Sequence, residues 1–133
     1  MSDIIGIHHA SLLVADTARA LAFYRDLLGL AVIAERPDLG FPGAWLRVGE
    51  QQIHLLELPN PDPVTGRPDH GGRDRHLALL VGDLEVLAGR LDQAAIPYTR
   101  SRSGRAALFC RDPDANALEF FPAPSPEGPT ALS

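Results

Sequence analysis

The chain has no lysine: all twelve of its basic residues are arginine, scattered among seventeen acidic residues for a formal net charge of -5. Without a basic stripe or a run of like charge, nothing in it is suited to nucleic acid or to an anionic membrane. A single cysteine, Cys110, rules out an internal disulfide and agrees with a reducing compartment. No stretch approaches the roughly 18 apolar residues of a membrane span. The opening MSDIIGIHHASLLV has no cationic lead and breaks its apolar run with two histidines, unlike a secretion signal. The chain therefore reads as cytoplasmic, with neither nucleic acid nor membrane as partner. At 133 residues and 45% hydrophobic it is long enough for one domain with a real core.

What is present is repetition. HHASLLVAD, from His8, returns as RHLALLVGD, from Arg75, so that His9 and Asp16 in the first copy match His76 and Asp83 in the second at an offset of 67 residues. Each Asp opens a stretch with helical apolar spacing. Asp16 or Thr17 caps the first, whose apolar face is Ala20, Phe23, Tyr24, Leu27 and Leu28, ended by Gly29. Asp83 caps the second, with Leu84, Leu87, Leu91 and Ala94 or Ala95 before Pro97. Strand-like runs follow both: LAVIAE, AWLRVG and QIHLLEL, then YTRSRS, ALFCR and ALEFF. Both halves read βαβββ. The organisation is a first module over 1–58, a Pro- and Gly-rich linker over 59–73, a second module over 74–122 and a loose tail over 123–133.

Strand parity then sorts side chains by face. Alternation places His9 on the side of β-strand IHHASLLV away from its helix, and His76 in the same position of the second copy. In QIHLLEL it sends Ile53 and Leu55 under the helix and His54 the other way. In ALEFF it sends Leu118 and Phe120 inward and Glu119 opposite, where a carboxylate among apolar neighbours calls for a partner. Trp45 and Arg47 share the outward face in AWLRV; they are candidates for substrate contact, although a structural Trp beside an exposed strand Arg has the same pattern. A lone strand histidine is ordinarily structural, and His8 and His70 read that way. Recurrence at one offset sets His9 and His76 apart, and two imidazoles with a carboxylate make a good divalent-metal set.

The phrases IHHASLLVADTARALAFYRDLLGL and CRDPDANALEFF resemble the opening and closing signatures of the vicinal oxygen chelate superfamily, which includes glyoxalase I, fosfomycin resistance proteins, extradiol dioxygenases and bleomycin resistance proteins. The resemblance spans residues 4–122. It implies an α+β, glyoxalase-like fold: two βαβββ modules forming a curved mixed sheet around a metal-binding concavity. It also implies a divalent ion (Zn, Ni, Mn or Fe) holding two neighbouring oxygens of a small-molecule substrate. Carried over position by position, the metal ligands are His9, His54, His76 and Glu119, with Glu119 also the catalytic carboxylate. Two departures stand out. His54 occupies a place that is usually Glu in glyoxalase I, and Ala115 sits where the turn normally has Gly for a positive φ.

A divalent ion with three neutral imidazoles and one carboxylate keeps a net positive charge, which favours an anionic bidentate substrate. With His54 unligated, the set becomes two His and one carboxylate, as in non-haem iron sites or the manganese site of fosfomycin resistance transferases. The first expectation is a metal-dependent lyase or isomerase of the glyoxalase kind. The alternatives are an extradiol-type dioxygenase, a fosfomycin-resistance-like transferase, or a non-enzymatic drug-binding protein. The resemblance further implies a homodimer, in which His9 and His54 of one chain meet His76 and Glu119 of the other, unless all four come from one chain.

Overall fold

In the computed structural model, which describes residues 2–124, the first module runs β1 (His9–Val14), α1 (Thr17–Leu21), β2 (Ala31–Val32), β3 (Gly43–Val48) and β4 (Gln51–Glu57). The second runs β5 (His76–Val81), α2 (Leu84–Gln93), β6 (Tyr98–Arg100), β7 (Leu108–Arg111) and β8 (Ala117–Pro122). Each module builds its own four-stranded mixed sheet with the same strand order, β1-β4-β3-β2 and β5-β8-β7-β6. The first and last strands of a module lie parallel, which requires the helix between them as a crossover. This is an α+β fold made of two βαβββ units. By packing, the chain divides between Val64 and Thr65, within the Pro- and Gly-rich stretch. From residue 125 onward, the stretch read as a loose tail lies outside the described residues.

The helix starts follow from their aspartates. Asp16 accepts from the Arg19 N–H, and Asp83 from the N–H groups of Glu85 and Val86, so each side chain satisfies donors that a first turn leaves open. The apolar faces bury in part as the spacing predicts, with Ala20, Phe23 and Tyr24 in the first module and Leu84, Leu87 and Leu91 in the second, whereas Leu27 and Leu28 are half-buried and Ala94 and Ala95, past the helix end at Gln93, are exposed. Beneath them lie Leu46, Ile53 and Leu55, and Leu108, Leu118 and Phe120, the inward residues of the two sheets. After Leu21 the first helix widens into a π-helical segment, Ala22–Leu27, where the Leu28 N–H reaches the Phe23 carbonyl. Spacing read at 3.6 residues per turn does not reveal that winding. β2 is shorter than LAVIAE suggests, although the Ile33 N–H still reaches Trp45 O at 2.8 Å.

The two helices end alike in outline and differently in residue. Gly29 leaves the first helix at φ +80°, and Ala95 leaves the second at φ 56°. There the Ala95 N–H bonds Asp92 O and the Ile96 N–H bonds Leu91 O, the paired closure that favours glycine at the left-handed position. Ala115 is the other strained alanine, at φ 65°, in a turn organised by buried Asp112. An L side chain in this region costs about 1–2 kcal/mol, part of which is returned by glycine's greater freedom when unfolded. Ala95→Gly is therefore expected to stabilise the protein by about 0.5–1 kcal/mol. Urea unfolding checks it, and a lower midpoint would refute the strain argument.

Candidate metal centre

The first-module site is a stack of rings. His9 opens β1, and His54 lies in the middle of β4 opposite Ser11 and Trp45. The His9 and His54 rings stack at 3.9 Å between centroids and 13° between planes, and Trp45 covers the other face of His54 at 4.3 Å and 9°. Gln52 Oε1 lies 2.7 Å from His54 Nε2. Burial above all, then the cationic character of His9, His8 and Arg36, pushes the His54 pKa down and favours the neutral ring. His8, read as an ordinary strand histidine, is in fact His9's partner. Their Nδ1 atoms are 2.8 Å apart, so one ring donates to the other and Nε2 is the His9 nitrogen outside that bond. Arg47 is exposed and pairs in register with Gln52, on the face expected for it.

The second-module site is a histidine facing a carboxylate. His76 opens β5 and Glu119 lies in β8, buried to 4% exposure. His76 Nε2 stands 3.2 Å from Glu119 Oε1, while Nδ1 lies 2.9 Å from Asp74 O. A carbonyl can only accept, so Nδ1 carries a proton and Nε2 is the nitrogen that faces the Glu119 carboxyl. Two electron-rich atoms at that distance are reconciled by a proton or a metal ion between them. Arg105 Nη2 approaches the second oxygen of Glu119, at 3.7 Å. By register Glu119 stands opposite Phe109 and Ala78, as His54 stands opposite Trp45 and Ser11. The repeat thus extends from the first histidine to the second ligand position and to the aromatic ring beside it.

Donor chemistry separates the members of the proposed ligand set. Two donors about 2.1 Å from a common ion and 3.2 Å apart subtend roughly 100°, within ordinary coordination angles, so His76 and Glu119 fit a divalent cation. His9 and His54 fit one less directly. An imidazole lone pair lies in the ring plane, and two nearly parallel stacked rings share no point ahead of both nitrogens. With the two rings stacked, His9 and His54 do not share one ion, and they could do so only if one ring turned out of the stack. Among the described residues, no three His, Cys, Asp or Glu side chains are grouped to hold a metal ion; the structure brings His9 to His54 and His76 to Glu119.

Residues that parity alone did not single out support the second pair. Asp74, just before β5, has a side chain 8% exposed and is held by Arg67 through both oxygens at 2.7 Å and by Arg111 at 2.8 Å. The Arg67 bonds foremost, with help from Arg111 and the Arg75 N–H, hold its carboxyl far below the usual range against the opposing effect of burial. The strand register would have flagged Arg111, because it pairs with Ala117 as Arg47 pairs with Gln52. His70 is structural, bonded to Thr99 Oγ1 at 2.8 Å. Cys110 is buried, and burial, with Asp112 nearby, pushes its thiol up to about 12, which disfavours the thiolate.

Residues 6–120 match the family model described as Glyoxalase/Bleomycin resistance protein/Dioxygenase superfamily. The chain is 31% identical to the uncharacterized protein YaeR of Escherichia coli, over 86% of this chain and 94% of that one. It is 29% identical to glutathione transferase FosA of Serratia marcescens, over 86% of this chain and 78% of the other. Among solved structures, lactoylglutathione lyase from Agrobacterium tumefaciens superposes with a TM-score of 0.63 at 26% identity, covering 90% of this chain and 94% of that one. No helix among the described residues is long and apolar enough to cross a membrane.

Proposed function

This chain belongs to the Glyoxalase/Bleomycin resistance protein/Dioxygenase superfamily, and from that premise we propose a metal-dependent enzyme of the lyase or isomerase kind, acting on a small anionic molecule with two neighbouring oxygens. His9, His76 and Glu119 hold the divalent ion, and His54 joins them when its ring leaves the stack. The observation that carries this reading is His76 Nε2 facing the buried Glu119 carboxylate at 3.2 Å, with Nδ1 already committed to Asp74. When bound, the ion supplies a positive charge that stabilises an enolate-like or catecholate-like pair of oxygens. The chain's own groups do the rest. Glu119 is the carboxylate available to accept a proton, Arg47 offers its guanidinium to the anion, and Trp45 walls the site behind His54.

Elemental analysis of protein purified without a metal-affinity tag tests the reading. Stoichiometric Zn, Ni, Mn or Fe is expected, and protein that neither contains nor takes up any of them would refute it. His8→Ala should weaken metal binding about 10-fold, the low end for losing a partner that orients a ligand. Unchanged affinity in a cobalt titration would return His8 to bystander status. A second reading, glutathione or thiol transfer, is favoured by the likeness to FosA and by the stacked His54, which leaves a three-ligand set. We take the active form to be a homodimer, with the first-module pair of one chain meeting the second-module pair of its partner. Mixing inactive His9→Ala and Glu119→Ala chains would then restore activity, because one of the two mixed sites is intact. No recovery from a verified mixed dimer would place all ligands in one chain.

A further inference from the structure

The geometry points to Asp74 as the residue that positions His76: its carboxylate fixes the Asp74–Arg75 peptide so that the carbonyl of that peptide holds the imidazole with Nε2 turned to Glu119. The inference rests on the metal reading only for its purpose, because the positioning itself is a property of the metal-free chain.

The argument starts from one peptide plane. Its N–H end, at Arg75, donates to Asp74 Oδ1 at 2.8 Å, and its C=O end, at Asp74, accepts from His76 Nδ1 at 2.9 Å. In a trans peptide these two groups point in opposite directions, so anchoring the N–H sets where the carbonyl aims. The anchor is itself immobile. Arg67 donates from Nε to Oδ2 and from Nη2 to Oδ1, both at 2.7 Å, and Arg111 Nη1 donates to Oδ2 at 2.8 Å. The same Nη1 reaches Ala115 O at 2.8 Å, and Nη2 reaches Pro68 O at 2.6 Å. Arg111 therefore ties the approach to β5, which carries His76, to the turn that leads into β8, which carries Glu119. Exposed ion pairs contribute little, but this carboxylate is 8% exposed and its arginines 17% and 23%, so the geometry is held rather than sampled. An imidazole held through Nδ1–H presents Nε2 as its ligating nitrogen, with the basicity raised by the bond behind it. Nothing comparable was needed for a merely structural histidine at the exposed start of an edge strand.

The test begins with unmodified protein, metal-free and 15N-labelled, and reads the His76 tautomer from two-bond 1H–15N correlations assigned with a His76→Gln variant. At a pH high enough for the ring to be neutral, the expected result is one tautomer, protonated on Nδ1, the reverse of what free histidine favours. Asp74→Ala should convert it to a mixture and weaken cobalt binding about 10- to 100-fold. Asp74→Asn still accepts from the Arg75 N–H and should retain the tautomer, with weaker loss of affinity. Both variants uncouple the arginines, so a role confined to stability would move them together. A native neutral His76 protonated on Nε2 and not on Nδ1 overturns the inference, as does a folded Asp74→Ala with native tautomer and affinity. Should Asp74→Ala fail to fold, the native tautomer and its retention in Asp74→Asn decide. Native protein that binds no cobalt overturns the metal reading alone, since the tautomer measurements stand without metal.

Discussion

Glu119→Gln is expected to abolish metal binding and turnover while leaving the metal-free protein at least as stable as the native one. The side chain is 4% exposed, and among the described residues its oxygens meet a histidine nitrogen at 3.2 Å and a distant arginine at 3.7 Å. A buried carboxylate with so little compensation costs stability, and a neutral isostere that donates to His76 Nε2 removes the cost. Losing a charged ligand should weaken the ion more than losing an outer partner does, so the affinity should fall by more than about 100-fold. His76→Ala should do the same. Metal content by elemental analysis and unfolding of the metal-free proteins give the two readouts. Retained metal in Glu119→Gln would remove Glu119 from the ligand set, and a strongly destabilised metal-free variant would show that the carboxylate is structural.

That opposition between stability and chemistry is also why some of the site could be read from sequence and some could not. That His9 shares a sheet face with His54, and His76 with Glu119, was legible because β-strands alternate with a period of two, and because a repeated module writes the position of His9 again at His76. The caps at Asp16 and Asp83 were legible for a similar reason, being dictated by a few neighbouring residues, whereas the positive φ at Ala115 is the one that the resembled family's turn implies. The stack of His9, His54 and Trp45 was not, because parity gives a face and a register but no ring orientation. Nor was the bond from His8 to His9: at the N-terminal end of a strand, the chain leaves strict alternation and a neighbouring side chain can turn to the same edge. Asp74 escaped notice because its function runs through its own backbone, and its partners Arg67 and Arg111 lie 7 and 37 residues away. The π-helical segment after Leu21 falls in the same class, since hydrophobic spacing over six residues fits either winding.

The second large effect concerns His54. Isomerising a thiohemiacetal of methylglyoxal and glutathione moves a proton from one carbon to the next, which requires a base within reach of both. The resemblance to glyoxalase I, which usually has Glu at the place of His54, implies that in the first module that base would occupy the position of His54. Burial favours the neutral His54 ring, but its Nε2 is engaged by Gln52 and its two faces are covered by His9 and Trp45. Glu119 is the carboxylate of the two pairs, and if it holds the proposed metal ion, its availability for the proton is limited. A well-placed general base contributes about 100- to 10,000-fold in rate. The native protein is therefore expected to turn over the glutathione hemithioacetal slowly or not at all, and His54→Glu to raise the rate by about that factor. The substitution gives up both ring stacks and buries a carboxylate beside Gln52, so the metal-free variant should lose about 1–3 kcal/mol, partly recovered when metal binds. Assays with manganese, nickel and zinc added separately, alongside thermal melts with and without the ion, read both consequences. A native enzyme that consumes the hemithioacetal rapidly and loses that rate in His54→Glu would mean that the imidazole, not a carboxylate, moves the proton in this protein.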